Sequence, residues 1–130
     1  MTGDTIFERN GGKRGIRSAV NGFYVLTLAD REIFEAYFAG INLQALLRHQ
    51  YRVFTVAAGG RWEEDDAPPG ELVDYLRRAH PVEMGITDEH FERVINGHLR
   101  TALRLEEWHP DDIEEFVGKV LSTRWAIVAR

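Results

Sequence analysis

Apolar residues recur at three- and four-residue spacing along nearly the whole chain, and no alternating pattern of comparable length competes with them. From about Lys13 to Ala29, the positions Ile16, Val20, Phe23, Tyr24 and Thr27 or Leu28 share one face, which predicts a long amphipathic helix. Asp30 carries a capping side chain for a short helix through Phe38, closed by Gly40. Asn42 caps the next helix, whose stripe is Leu43, Leu46, Leu47, Gln50, Val53, Phe54 and Ala57, with Gly59-Gly60 as its stop. Within it, Tyr51 to Ala57 is β-branched enough to suit a strand as well.

Arg61 to Gly70 is acidic, contains Pro68-Pro69-Gly70 and reads as a loop into a short element, Glu71 to His80, with the stripe Leu72, Leu76 and Ala79. Thr87 then caps a helix bearing Phe91, Val94, Ile95, His98, Ala102 and Leu105, and Asp88 and Glu89 suit its positive end. Pro110 opens a last helix with Ile113, Phe116, Val117, Val120, Leu121 and Ile127 or Val128 on one face. The expectation is a single all-α domain over residues 1–130, built from five or six helices.

Composition narrows the chemistry. The 130 residues suffice for one core, and with no cysteine present any metal must be held by histidine, carboxylate or a prosthetic group. Met1 to Asn10 lacks the apolar run of a signal peptide, and no later stretch approaches the ~18 apolar residues of a membrane span, so a cytoplasmic protein is expected. The net charge of -5 and the run Glu63-Glu64-Asp65-Asp66 argue against nucleic acid and for a small or neutral ligand.

Three polar residues interrupt the apolar stripes: Tyr24, Gln50 and His80. Taken singly, each has an ordinary explanation: the tyrosine and glutamine bond each other or the backbone, and the histidine is a hydrogen-bonded helix end. Taken together they describe a cavity lined by Phe23, Phe38, Leu46, Phe54, Leu76, Ile86, Phe91 and Val94, with an imidazole on one side and two hydrogen-bond donors on the other. That is the arrangement of a haem pocket with an open sixth position.

At these residues the chain resembles the truncated haemoglobins, most closely group I. Ile6-Phe7-Glu8-Arg9-Asn10-Gly11-Gly12 is similar to the family's opening glycine pair, and Val20-Asn21-Gly22-Phe23-Tyr24 with Asp30 to its helix B. Tyr37-Phe38-Ala39-Gly40 resembles the aromatic corner at the haem edge, and Leu46-Leu47-Arg48-His49-Gln50 with Phe54 and Gly59-Gly60 resembles helix E and its stop. His80 followed by Gly85-Ile86-Thr87-Asp88-Glu89-His90-Phe91 resembles the proximal ligand and the entry to helix G. The segment Arg61 to Arg78 is longer and more acidic than in compact members, and extra residues stand before Phe38 and before Gly85.

The resemblance implies a truncated two-over-two helical sandwich enclosing haem b (iron protoporphyrin IX), with His80 as the iron ligand and Tyr24 and Gln50 as distal donors. Phe38 would pack on the haem face, and Leu46 would stand where many globins have a distal histidine. Successive helical positions differ by about 100°, so His49 is expected to turn away from the site that Gln50 faces. His90 and His98 are placed near the pocket wall and His109 in a turn before Pro110. The implied ligands are O2, NO and CO, with nitric-oxide detoxification to nitrate as the leading reaction, an unidentified reductase as electron donor, and a monomer or weak dimer as the assembly. Two alternatives stand beside it: a haem-free globin-like sensor or interaction module, and a peroxidase-like or ligand-sensing haem protein using Trp62, Trp108 or Trp125 as oxidation sites.

Overall fold

Side-chain caps start five of the described helices, and three of these caps, Asp30, Asn42 and Thr87, stand where the sequence places them. The computed structural model describes residues 5–60 and 85–128; the predicted loop after Gly60 and the short element ending at His80, with Leu76, lie outside the described residues. Thr5 accepts the Glu8 amide at 3.0 Å and opens α1 (Ile6–Arg9). Two residues later α2 (Gly12–Ala29) begins, burying Ile16, Ala19, Val20, Phe23, Tyr24 and Thr27 on the expected face. The α1–α2 junction is tight: a Cβ on Gly15 would stand 1.7 Å from the Asn10 carbonyl oxygen, so only glycine lets the two backbones meet.

Asp30 accepts the Ile33 amide and caps α3 (Arg31–Ile33), which continues as a π-helical turn over Phe34–Phe38, closed by the Ala39 amide donating to the Phe34 carbonyl at 3.0 Å. Asn42 caps α4 (Leu43–Ala57) through the Ala45 amide at 3.1 Å. Tyr51 to Ala57 is helical, because the apolar stripe it completes packs on α2, and tertiary burial outweighs its local β-preference. Thr87 accepts the His90 amide and opens one helical rod: α5 (Asp88–Glu92), a π-helical stretch over Arg93–Leu99, and α6 (Arg100–Leu105).

His109 accepts the Asp111 amide through Nδ1 and caps α7 (Pro110–Leu121), whose first turn holds the proline. The apolar stripe was expected to run on to Ile127 or Val128 in one helix. Instead the Ser122 and Thr123 hydroxyls donate to the Lys119 and Val120 carbonyls, the helix ends, and α8 (Arg124–Ile127) follows as a separate turn.

α2 packs on α4 and on α6; the Arg93–Leu99 stretch and α6 pack on α7; and α4 also meets α7. The result is one pair of helices, α2 with α4, laid on a second, the α5–α6 rod with α7. Val20, Leu99, Leu103, Phe116 and Val117 are fully buried between the pairs. A row of aromatic rings runs through this interface: Phe38 to Tyr24 (5.9 Å between centroids), Tyr24 to Phe23 (4.7 Å), Phe23 to Phe54 (5.7 Å), Phe54 to Phe116 (5.4 Å) and Phe116 to Trp108 (5.3 Å). The pairs Phe38–Tyr24, Tyr24–Phe23 and Phe116–Trp108 are edge-to-face, a geometry that contributes about 0.5–1.5 kcal/mol each beyond the area buried.

A buried carboxylate fixes the end of α1 to α7. Arg9 donates to Asp112 through Nη2 at 2.7 Å and Nε at 3.2 Å, and Asn10 Nδ2 adds a third bond at 3.0 Å. The Arg9 guanidinium holds the Asp112 carboxyl below the usual carboxylate range against the opposing effect of burial.

Candidate ligand cavity

The end of α2, the π-helical turn, α4 and the start of the α5–α6 rod do not close on one another, and a cavity of about 700 Å³ remains between them, bounded also by the end of α7. Its wall is mostly apolar. Phe23, Phe38, Leu46, Phe54, Ile86, Phe91 and Val94, all expected from the sequence, line it together with Tyr24 and Gln50. His80 and Leu76, the remaining expected residues, lie outside the described residues.

Tyr24 is buried, with its ring held by Phe23 on one side and Phe38 on the other. Burial pushes its phenol well above the usual tyrosine range, so the hydroxyl keeps its proton. Neither that hydroxyl nor the half-buried amide of Gln50 has a hydrogen-bond partner among the described residues, and they do not bond each other. Both donors open on one apolar cavity, where a group that enters it can accept from them.

The expectation for His49 is overturned. Leu46, His49, Gln50, Val53 and Phe54 all line the cavity, following the i, i+3, i+4, i+7, i+8 spacing of a single helical face. Comparing His49 with Gln50 alone missed that Leu46, one turn earlier, brings His49 onto the same broad face. His90 also borders the cavity, whereas His98 does not: it turns to Asp30, with Nε2 2.9 Å from Oδ2, and this bond holds the Asp30 carboxyl low. Trp108 is buried against Phe116 as a core residue, Trp125 is nearly half exposed, and Trp62 lies outside the described residues.

Tyr37, named from the sequence only as part of the aromatic corner, also lines the cavity. Its hydroxyl stands 2.7 Å from His90 Nδ1, while His90 Nε2 stands 2.5 Å from Glu32 Oε2. Glu32, Glu89 and His90 bring their ligand-type atoms within 4.8 Å of one another, but Arg93 already pairs with both carboxylates, at 3.3 and 3.1 Å. The group is an ion-pair network that ties the π-helical turn to α5. Ile41, Val53, Ile95, Val120 and Ile127 complete the apolar wall beyond the residues expected, and Ile41 stays exposed at the rim.

A large flat apolar group would find in this cavity apolar walls above and below, an exposed apolar rim and two free donors inside; the residues present fit haem on these counts. Residues 5–129 match the model of the bacterial-like globin family. The group 1 truncated hemoglobin GlbN of Mycolicibacterium paratuberculosis is 30% identical over 116 residues, which is 89% of this chain and 78% of that protein. GlbN of Synechocystis sp., also a group 1 truncated hemoglobin, is 33% identical over 100 residues, 75% of this chain and 74% of its own length.

Among solved structures, the 2/2 hemoglobin of Synechococcus sp., in the cyanomet state and with covalently attached heme, superposes with a TM-score of 0.79 at 29% identity, covering 97% of this chain and 99% of that one. Truncated hemoglobin from Tetrahymena pyriformis in its Fe(III) form gives a TM-score of 0.82 over 98% of this chain and all of its own, at 24% identity, a likeness of fold.

Proposed function

Because the chain belongs to the bacterial-like globin family and is a truncated, group I-like globin with haem as cofactor and diatomic molecules as ligands, we propose that it binds O2 tightly and oxidises nitric oxide to nitrate. When bound, haem supplies the iron centre at which diatomic ligands are held. The residues of this chain do the rest. His80 is assigned as the iron ligand, on its place in the sequence between the acidic loop and Gly85-Ile86-Thr87. Phe38, Leu46, Phe54, Ile86, Phe91 and Val94 are assigned to the faces and edges of the ring, and they keep water out of the site.

The observation that carries the reading is the pair of open donors. Tyr24 Oη holds a proton that burial prevents it from losing, and Phe23 and Phe38 restrict the swing of its ring. Gln50 offers an amide N–H from the facing helix. Both donors suit a ligand oxygen that carries partial negative charge, and in a dry cavity each such bond is worth on the order of 1 kcal/mol or more. Slow release favours reaction with a second small molecule over delivery. The overall change, NO plus O2 plus one electron giving nitrate, needs an external reductant, and a separate reductase is proposed for it. No described helix is long and apolar enough to cross a membrane, and a cytoplasmic monomer or weak dimer is proposed.

The test is the product. Reduced, oxygenated, haem-loaded protein mixed with one equivalent of nitric oxide is expected to give nitrate stoichiometrically. Nitrite as the main product, or nitric oxide left unconsumed, would overturn the assignment of the reaction and leave ligand binding standing.

A further inference from the structure

We propose that Tyr37 is a redox-active tyrosine on the cavity wall, with His90 as the base that takes its proton and Glu32 as the group that orients His90. The three form one hydrogen-bonded line from the cavity to the surface. Tyr37 Oη lies 2.7 Å from His90 Nδ1; its other neighbours, the Gly85 carbonyl and the Thr87 amide, are at 3.5 and 3.4 Å, so the short bond takes the hydroxyl proton. His90 Nε2 lies 2.5 Å from Glu32 Oε2. The imidazole bond, followed by Arg93, holds the Glu32 carboxyl low, and an ionised carboxylate can only accept. Nε2 therefore carries the hydrogen, and in the neutral imidazole Nδ1 presents its lone pair to the phenol.

A phenol gives up an electron far more readily when its proton has somewhere to go in the same step. In the proposed step an outer-sphere one-electron oxidant, a trivalent transition-metal complex such as ruthenium(III) tris-bipyridine, removes an electron from the Tyr37 ring while the Oη proton passes to His90 Nδ1. The products are a neutral tyrosyl radical, a protonated His90 and the oxidant reduced by one electron, so charge and protons balance. The imidazolium formed faces Glu32 directly, with Glu89 beside it and Arg93 between the two carboxylates, so two negative charges balance the two positive ones after the step.

Position sets this tyrosine apart from the others described. Tyr24 is buried without a partner, and Tyr51 donates at 2.8 Å to Asn21 Oδ1, an amide that does not take up a proton. Tyr75, the remaining one of the four, lies outside the described residues. Tyr37 thus gives the cavity an exit for an oxidising equivalent: in from the ligand side, with the proton held one imidazole away and a half-exposed carboxylate behind it.

The inference stands on these three residues and not on the haem assignment, and its test needs no haem. The purified full chain is exposed to photogenerated ruthenium(III) tris-bipyridine, and tyrosyl radical is followed by transient absorption and electron paramagnetic resonance. Wild type is expected to form the radical at neutral pH with a solvent deuterium isotope effect. Tyr37→Phe should lose it, and His90→Gln should slow its formation by about a hundredfold, the scale of a lost general base. Should His90→Gln fail to fold, the wild-type solvent isotope effect decides, since the Oη proton must move in the same step as the electron. A radical that persists in Tyr37→Phe, an unchanged rate in a folded His90→Gln, or a wild-type rate without a solvent isotope effect would each overturn the proposal.

Discussion

The ring of Phe38 stands at 80° to that of Tyr24, with the centroids 5.9 Å apart. One residue comes from a π-helical turn and the other from the long second helix, so the backbone geometry of Phe34–Phe38 decides where the edge of the Tyr24 phenol points. π-Helical turns are rare and gather at functional sites. Here one supplies both Phe38 and Tyr37 to the cavity wall.

Tyr24→Phe should separate function from stability. In haem-loaded protein the loss of one donor to the bound ligand is expected to speed oxygen release by about tenfold, equivalent to about 1.4 kcal/mol, as stopped-flow mixing would show. In haem-free protein the same change should leave urea stability nearly unchanged, because the hydroxyl opens on the cavity and makes no hydrogen bond within the described residues. Equal release rates in the two proteins would remove Tyr24 from the distal role.

Asp112→Ala removes the carboxylate that Arg9 and Asn10 share. Arg9 is partly exposed and regains water, so the expected loss at neutral pH is moderate, about 1–3 kcal/mol. The sign of its pH dependence follows from the depressed carboxyl: the contribution is complete above the unfolded value near pH 4 and is lost as pH falls through the lower folded value. Urea titrations of wild type and variant should therefore converge in acid. A gap that stays constant as pH falls would deny the ion pair this role.

Gly15→Ala tests the junction of the first two helices. Ala is normally the better helix former, by about 1 kcal/mol, but here its methyl would meet the Asn10 backbone oxygen at 1.7 Å. Backbone must move, and thermal unfolding is expected to show a loss of about 3 kcal/mol or more. A stabilised variant would mean that the junction is looser than described.

Much of the fold was legible because helical spacing and capping residues agree. Asp30, Asn42 and Thr87 each bond the amide three residues on, as their side chains predict. The buried face of the second helix is the predicted stripe with Ala19 added. What escaped was of three kinds. The π-helical stretches at Phe34–Phe38 and Arg93–Leu99 share the side-chain preferences of α-helix, so no local signal marks them. The Arg9–Asp112 pair joins residues far apart in sequence, each of which reads alone as a surface charge. His49 was misplaced for a third reason: a 700 Å³ cavity exposes a broader arc of each helix than a close-packed interface does, and residues flanking the expected ones come into view.

The account rests on a histidine-ligated haem in this cavity, and the ultraviolet-visible spectrum of haem-supplemented wild type and His80→Ala tests it most directly. Wild type is expected to take up haem in equal amount, with a sharp Soret band that shifts on dithionite reduction and again with carbon monoxide. His80→Ala should lose stable haem binding. Equal haem uptake with an unchanged Soret position in the variant, or no stoichiometric uptake by wild type, would contradict it.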